Sequence, residues 1–223
     1  MNSYMQRATE PELMIDPEQA KAYAEADFNK SHSNILLKFD QLFPDVEIDG
    51  LVLDLGCGPG DITFRFAYRF PQARFIGIDG SPAMLDFAEA RKQREFEVAA
   101  QLNFVESYIP SDSIPTESYQ AIISGSFLHH LHDPQVMWNC VKRYGQAGTK
   151  VFISDLCRPR SQEIARQIVL ENSADEPQVL QDDYYYSLLA AFTPEEIAEQ
   201  LLIAGLPQLQ VHLDGNMYVY GTL

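Results

Sequence analysis

Three groups of residues in this sequence could do chemistry. The first is the run L-V-L-D-L-G-C-G-P-G over residues 51–60. Four of its first five residues are apolar, the pattern of a short strand buried on both faces. It breaks into Gly56, Gly58 and Gly60, and a helical run over 61–70 follows. Strand, glycine turn and helix make a nucleotide-binding corner, because glycine turns the backbone sharply and puts no Cβ in a ligand's way. A dinucleotide fingerprint wants G-x-G-x-x-G. Here the third glycine position holds Asp61, and a carboxylate faces a pyrophosphate badly. Asp54, on the strand before the turn, suits a ligand with a positive group. The second group is Asp79, 25 residues past Asp54, at the end of a second strand. There a carboxylate can accept two hydrogen bonds from a ribose diol; the other reading is a turn or helix-capping aspartate. The third is S-G-S-F-L-H-H-L-H-D over 124–133, leaving a fourth strand. An imidazole titrates near neutral pH, so His129 or His130 could be a general base; the plainer role is a hydrogen-bonded histidine orienting the pocket floor. With His132 there are three histidines in four residues, but spacings of one and two do not suit ligation from one helix face. No metal is expected.

The segment D-L-G-C-G-P-G resembles motif I of the class I S-adenosylmethionine-dependent methyltransferases, of the small-molecule type. In that family the glycine loop lies under the amino-acid part of the cofactor. The resemblance implies S-adenosyl-L-methionine as cofactor, a transferase, and contacts from Asp54, Gly56, Cys57, Gly58, Gly60, Asp79, Gly80, Ser81 and Met84. Ser81 and Met84 would lie beside the adenine, though Met84 is equally placed for the core. Family members often carry an acidic residue after the third strand for the adenine amino group. Here Glu106, Ser107 and Tyr108 occupy that place, Glu106 being the nearest carboxylate and Ser107 the nearest alignment. Ser124, Ser126, His129 and His130 fall at the segment that follows the fourth strand. The acceptor is expected to be a small molecule held between Tyr23 and Phe28, the histidines, and Tyr184, Tyr185 and Tyr186. Arg158 could meet an acidic group of it. The plain alternatives are packing of an amphipathic helix for Tyr23 and Phe28, core packing for one or two of the tyrosines, and pairing of Arg158 and Arg160 with Asp155 and Glu163. There is no N-P-P-Y after the fourth strand, so oxygen, nitrogen, sulfur and carbon acceptors all stay open. Two other functions compete: a nicotinamide-dependent oxidoreductase, against which Asp61 speaks, and a non-catalytic S-adenosylmethionine-binding protein.

Composition narrows the partners. Lys plus Arg is 16 against 32 for Asp plus Glu, a net charge of −16. Nucleic-acid binding relies on clustered Lys and Arg, so no nucleic-acid partner is expected. No apolar run reaches the ~18 residues of a membrane span. The first twelve residues are polar, unlike a signal peptide, and are expected to be mobile. Cys57, Cys140 and Cys157 have no metal-type spacing and are expected to be reduced thiols in a cytoplasmic protein. The chain is expected to act as a monomer or homodimer.

These residues need elements to position them. A helical pattern covers 16–43, with Ser31 to Asn34 expected to separate two helices. Strands are expected at 51–55, 74–78, 102–105, 119–123 and 150–154, with helices at 61–70, 83–99 and 134–144 between them. Helices follow at 161–172 and 183–192, then T-P-E-E over 193–196 starts another. Alternating residues at 209–213 and 217–221 about Asp214-Gly215-Asn216 make a hairpin. The expectation is an α/β, Rossmann-like, doubly wound, mostly parallel seven-stranded sheet with a C-terminal antiparallel hairpin and an N-terminal helical cap. Read as one domain, it divides into a cap at 1–45, a cofactor-binding core at 46–157, a substrate cover at 158–192 and a closing helix and hairpin at 193–223.

Overall fold

Parallel strands covered by helices on both faces must be apolar throughout, and β1 (Leu51–Leu55) is buried at all five positions. The structure, a computed structural model, describes residues 4–11, 13, 14 and 16–223. β1 pairs in parallel with β2 (Arg74–Asp79) and with β4 (Tyr119–Gly125). β3 (Leu102–Glu106) joins β2, and β5 (Lys150–Asp155) joins β4, also in parallel. β6 (Gln210–Asp214) and β7 (Asn216–Thr222) form the hairpin, and β7 lies antiparallel to β5. Among the described residues this is one seven-stranded sheet in the order β3-β2-β1-β4-β5-β7-β6.

Alternation along the strands divides the core in two. Leu51, Leu53 and Leu55 face one layer, with Ile122, Val151, Ile153 and Val219. That layer meets α6 (Gln135–Tyr144) and α9 (Pro194–Ala204) around Trp138, which is wholly buried and donates its indole N–H to Gln200 at 3.0 Å. Val52, Ala121, Ile123 and Phe152 face the other layer. There α2 (Asn29–Leu42) and α3 (Asp61–Arg69) bring Phe39 edge-on to Phe66, Phe70 and Phe152, at 5.0, 5.8 and 5.3 Å between ring centres. Aromatic rings prefer that geometry to a face-to-face sandwich. α9 starts with the expected capping box: Glu196 N donates to the Thr193 hydroxyl at 3.3 Å, and Thr193 N to the Glu196 carboxylate at 2.9 Å.

Three boundaries differ from the sequence reading. The cap splits into α1 (Pro17–Glu25) and α2 at Ala26 to Phe28, not at Ser31 to Asn34. His32 and Ser33 stay helical because they reach across to α3, His32 to Asp61 at 2.6 Å and Ser33 to Arg65 at 2.9 Å. The helix after β2, α4 (Pro82–Lys92), stops before Gln93, and α5 (Phe96–Ala99) is separate. After α7 (Gln162–Ser173), α8 (Gln178–Ala190) takes in much of the expected connector, starting behind Pro177.

Residues 4–11, expected to be mobile, are anchored. Arg7 donates to the carbonyls of Ala190, His129 and Leu131 at 2.5, 2.8 and 3.0 Å. Its guanidinium lies 3.9 Å above the centre of the Phe192 ring. A single side chain thus ties the N-terminal segment to the end of α8 and to the turn after β4.

Candidate functional site

In an open parallel sheet the crevice forms where strand order reverses, outside the carboxyl ends of the strands. Here that point lies between β1 and β4. A cleft of ≈ 1630 Å³ opens there, between the glycine loop, the turn after β4, α1 and α8. A side cavity of ≈ 350 Å³ shares Gly56, Asp79 and Gly80 with it and is bounded by Ser107 and Tyr108.

The loop after β1 folds back on β2. Gly56 N and Cys57 N both donate to the carbonyl of Ile78, at 2.8 and 2.9 Å. Gly56, Gly58 and Gly60 all have left-handed φ, at +69°, +53° and +84°, which side chains disfavour. A Cβ on Gly58 would meet nothing within 4 Å, whereas one on Gly56 would lie 2.2 Å from the Phe127 ring. Gly58 therefore opens towards the cleft and Gly56 is held by packing. Asp79 accepts from Gly58 N and from Ser81 N, each at 2.8 Å. Burial pushes its carboxyl up, and those hydrogen bonds pull it back.

Asp54 lies beneath the loop, 1% exposed. One oxygen accepts from the Thr63 hydroxyl at 2.6 Å and the other, Oδ1, is buried without a partner. Burial pushes its carboxyl up to about 7. Burial likewise keeps Cys57 a thiol. At the start of α3, Asp61 receives Arg65, His32 and Arg91, each at 2.6 Å. Burial works against that carboxylate, but the three hydrogen bonds outweigh it and hold it well below the usual range.

The deep end of the cleft is charged. His129 sits in the 3₁₀ turn Leu128–His130, 2% exposed, and its Nδ1 meets Asp155 at 2.5 Å. Burial disfavours the imidazolium, yet the charge of Asp155 and its hydrogen bond raise His129 above its ordinary value and depress Asp155. Glu10, from the N-terminal segment, stands opposite, 3.4 Å from His129 Nε2 and 3.2 Å from His130 Nδ1. Ser187 of α8 donates to it at 3.1 Å. Burial raises Glu10. His130 is depressed to about 3, by burial and by the charge of His129.

Of the expected residues, Gly56, Cys57, Gly58, Asp79, Gly80, Ser81 and Met84 line the cleft, with His129, His130, Tyr23, Phe28, Tyr184 and Tyr186. Ser107 and Tyr108 line the side cavity. Six do not come to either. Asp54 turns to Thr63. Ser124 is buried and donates to the Leu55 carbonyl at 2.6 Å, tying β4 to β1. Gly60 shapes the turn against Phe104 and Phe64. Glu106 is exposed at the end of β3. Tyr185 packs with α7 and Leu188. Arg158 is not at an acceptor position: it is buried, donating to the Ala191 carbonyl at 2.9 Å and to Glu196 at 2.5 Å. Its expected partner Asp155 is taken by His129 instead. Glu10 and Arg7 escaped the sequence reading, since nothing periodic marks a polar segment that docks across more than 120 residues. Asp155 had a signal in its place at the carboxyl end of a parallel strand.

A doubly wound sheet with a glycine corner, an acidic residue ending β2 and a capped crevice defines a Rossmann-like nucleotide-binding protein. The family described as "Methyltransferase domain" matches residues 49–193, and the chain belongs to that family. Trans-aconitate 2-methyltransferase of Yersinia pseudotuberculosis is 31% identical over 150 residues, covering 62% of this chain and 55% of that protein. The Methylobacterium radiotolerans enzyme of the same name is 55% identical over 49 residues, covering 22% of this chain and 19% of it. Phosphoethanolamine N-methyltransferase 1 of Arabidopsis thaliana is 31% identical over 107 residues, covering 48% and 21%. The chain thus spans between a fifth and about half of these relatives' lengths. Among solved structures, the plantazolicin methyltransferase BpumL in complex with SAH superposes with a TM-score of 0.70 at 15% identity, over 93% of this chain and 91% of that one. A putative S-adenosylmethionine-dependent methyltransferase from Methanococcus maripaludis also gives 0.70, at 16% identity over 96% of both chains. The fold is that of the class I S-adenosylmethionine-dependent methyltransferases. The residues present fit S-adenosylmethionine: Gly58 leaves open space and Asp79 lines it. Among the described residues no helix is long and apolar enough to cross a membrane, and the three cysteines are free.

Proposed function

We propose that the protein transfers a methyl group from S-adenosylmethionine to a small-molecule acceptor held in the cleft. The observation that carries this is the continuity of the space: one cleft runs from Gly58 and Asp79 to His129 and His130 under the N-terminal cap. When bound, the cofactor supplies an electrophilic methyl on a sulfonium. The chain supplies position, which is most of what such a transfer needs. Asp79 is assigned to the ribose diol, Gly58 and Gly56 to the amino-acid part, and Ser107 and Tyr108 to the adenine end. Tyr23, Phe28, Tyr184 and Tyr186 offer aromatic faces to an acceptor. Activation of the acceptor's nucleophile falls to the imidazole pair; Asp155 holds Nδ1 of His129, so Nε2 is the atom presented to the cleft. Arg7 and the N-terminal segment keep water from that end.

The relatives' names include a tricarboxylate and a phosphoethanolamine acceptor, and neither transfers directly. In the cleft, Arg65 and Arg91 are engaged by Asp61, and Lys38 by Asp214. The test is thermal melting with S-adenosylhomocysteine, S-adenosylmethionine and NAD added separately, beside an Asp79→Ala variant. A ligand at ~100 times its dissociation constant stabilises by about 2.7 kcal/mol, a shift of a few degrees for a chain of this size. A shift with the sulfur nucleosides that shrinks in the variant is the expected result. A shift with NAD alone overturns the reading.

A further inference from the structure

The deep end of the cleft holds two histidines and a carboxylate in a closer arrangement than their places in the sequence suggest. His129 and His130 are neighbours in a single 3₁₀ turn, yet their ring centres lie 4.3 Å apart with planes 34° from each other. Glu10 reaches both from the N-terminal segment, with Oε1 3.4 Å from His129 Nε2 and 3.2 Å from His130 Nδ1. One ligand atom from each of the three lies within 4.8 Å of the others. Metal bonds of about 2.0–2.2 Å at tetrahedral angles set ligand atoms about 3.3–3.6 Å apart. Of the two measured separations, 3.4 Å falls in that range and 3.2 Å just below it.

The surroundings are also those of a metal ligand set. A ligating histidine usually gives its other ring nitrogen to a carboxylate, which fixes the ring and strengthens the ligand. His129 does so: Asp155 meets Nδ1 at 2.5 Å and also accepts the His129 backbone N–H at 3.2 Å. Glu10 is oriented in turn by the Ser187 hydroxyl. Glu10 and Asp155 bring two negative charges to the deep end. Arg7 gives its hydrogen bonds to three backbone carbonyls, and its charge lies near enough to act on Glu10 and Asp155.

We infer that Glu10, His129 and His130 bind a divalent transition-metal ion at the deep end of the cleft, with Asp155 orienting His129 from behind. Imidazole and carboxylate ligands together suit zinc, cobalt, nickel or iron(II) rather than magnesium or calcium. Three protein ligands leave positions open to the cleft, the mark of a catalytic rather than a structural site. An ion so placed would polarise an acceptor oxygen or nitrogen, and His129 would then act through the metal in place of the direct role given to its Nε2 above. This deepens the methyl-transfer reading and rests on it for the ion's purpose, but not for its binding.

The experiment is calorimetric titration of chelator-treated full-length protein with zinc chloride, and with cobalt(II) followed by its visible absorption. Glu10→Gln and His130→Ala are run alongside; both residues are at the cleft wall, outside the core. Melting with S-adenosylhomocysteine is recorded on every sample. The expected result is one equivalent of ion and a cobalt spectrum of low coordination number. Each ligand variant should weaken binding at least about tenfold, and Asp155→Asn by about 10–100-fold. Absence of zinc and cobalt binding, in protein that still responds to S-adenosylhomocysteine, overturns the metal site. So does binding left unchanged in Glu10→Gln and His130→Ala, which places the ion on other histidines or cysteines. A protein that takes up the ion with this dependence but ignores the nucleoside keeps the metal site and loses the methyl-transfer reading.

Discussion

Replacing Asp54 by asparagine should make the ligand-free protein less sensitive to pH. The carboxyl group is 1% exposed, has one partner, Thr63, and leaves Oδ1 unpaired. Burial raises it from 3.8 to about 7. Below pH 3.8 both folded and unfolded chains hold the proton, and the group costs nothing. Between 3.8 and 7 the unfolded chain releases it while the folded chain keeps it, so stability falls as pH rises. Above 7 the full cost of the buried charge is felt, roughly 4 kcal/mol at about 1.4 kcal/mol per pH unit. Asparagine keeps an acceptor for Thr63 and carries no charge. Its amide nitrogen takes the unpaired place, at a cost of about 1–3 kcal/mol that pH does not alter. From pH 5 to pH 8 the variant should therefore gain roughly 2–3 kcal/mol on the parent. Urea unfolding at both pH values, without cofactor, measures this. Parallel pH dependences in the two proteins would show that Asp54 is not a buried carboxylate held neutral, and the reasoning would fail.

Four further substitutions probe separate parts of the argument. Arg158→Met breaks the pair with Glu196 and frees the Ala191 carbonyl; it should cost about 2–3 kcal/mol in denaturant unfolding and leave S-adenosylhomocysteine affinity unchanged. Gly56→Ala must hold φ at +69° with Cβ against Phe127, and should lose about 2–4 kcal/mol of stability. Gly58→Ala meets no neighbour, so it should lose only about 1–2 kcal/mol while weakening nucleoside binding in calorimetry. Thr193→Ala removes one half of the capping box and should lower stability by about 1 kcal/mol by the same unfolding assay.

The sheet was legible because β1, β2, β4 and β5 are apolar runs that end at or just before Gly or Asp. The run at 51–55 and Asp79 closing β2 are local facts that no tertiary contact overrides. The cap was read less well. Ser31 to Asn34 look like helix breakers, since Ser and Asn compete with the backbone for hydrogen bonds. In the fold His32 and Ser33 spend their polar groups on Asp61 and Arg65, and the helix continues. Asp61 could be seen to be wrong for a pyrophosphate, but not to be the hub of a histidine and two arginines from α2, α3 and α4. The candidate site was half visible. Its glycines, Asp79 and the histidines lie in short motifs; Glu10 and Arg7 act across the whole chain, where no periodicity reaches.

The reach of Arg7 also sets an order of assembly. The nucleotide corner needs only β1, β2, β4 and the turns between them, all within residues 51–125. The far wall of the cleft needs Arg7 and Ala190 together, 183 residues apart. A chain leaving the ribosome can shape the corner long before it can close the wall, because distant contacts come last. The same asymmetry operates in reverse in the finished protein. Losing Arg7 would remove three hydrogen bonds between the N-terminal segment and the wall and none from the sheet. The N-terminal segment is thus a clasp with several catches, Arg7 on three carbonyls, Ala8 N on the Leu189 carbonyl and Glu10 beside Ser187, His129 and His130, and every one of them lies outside the nucleotide corner.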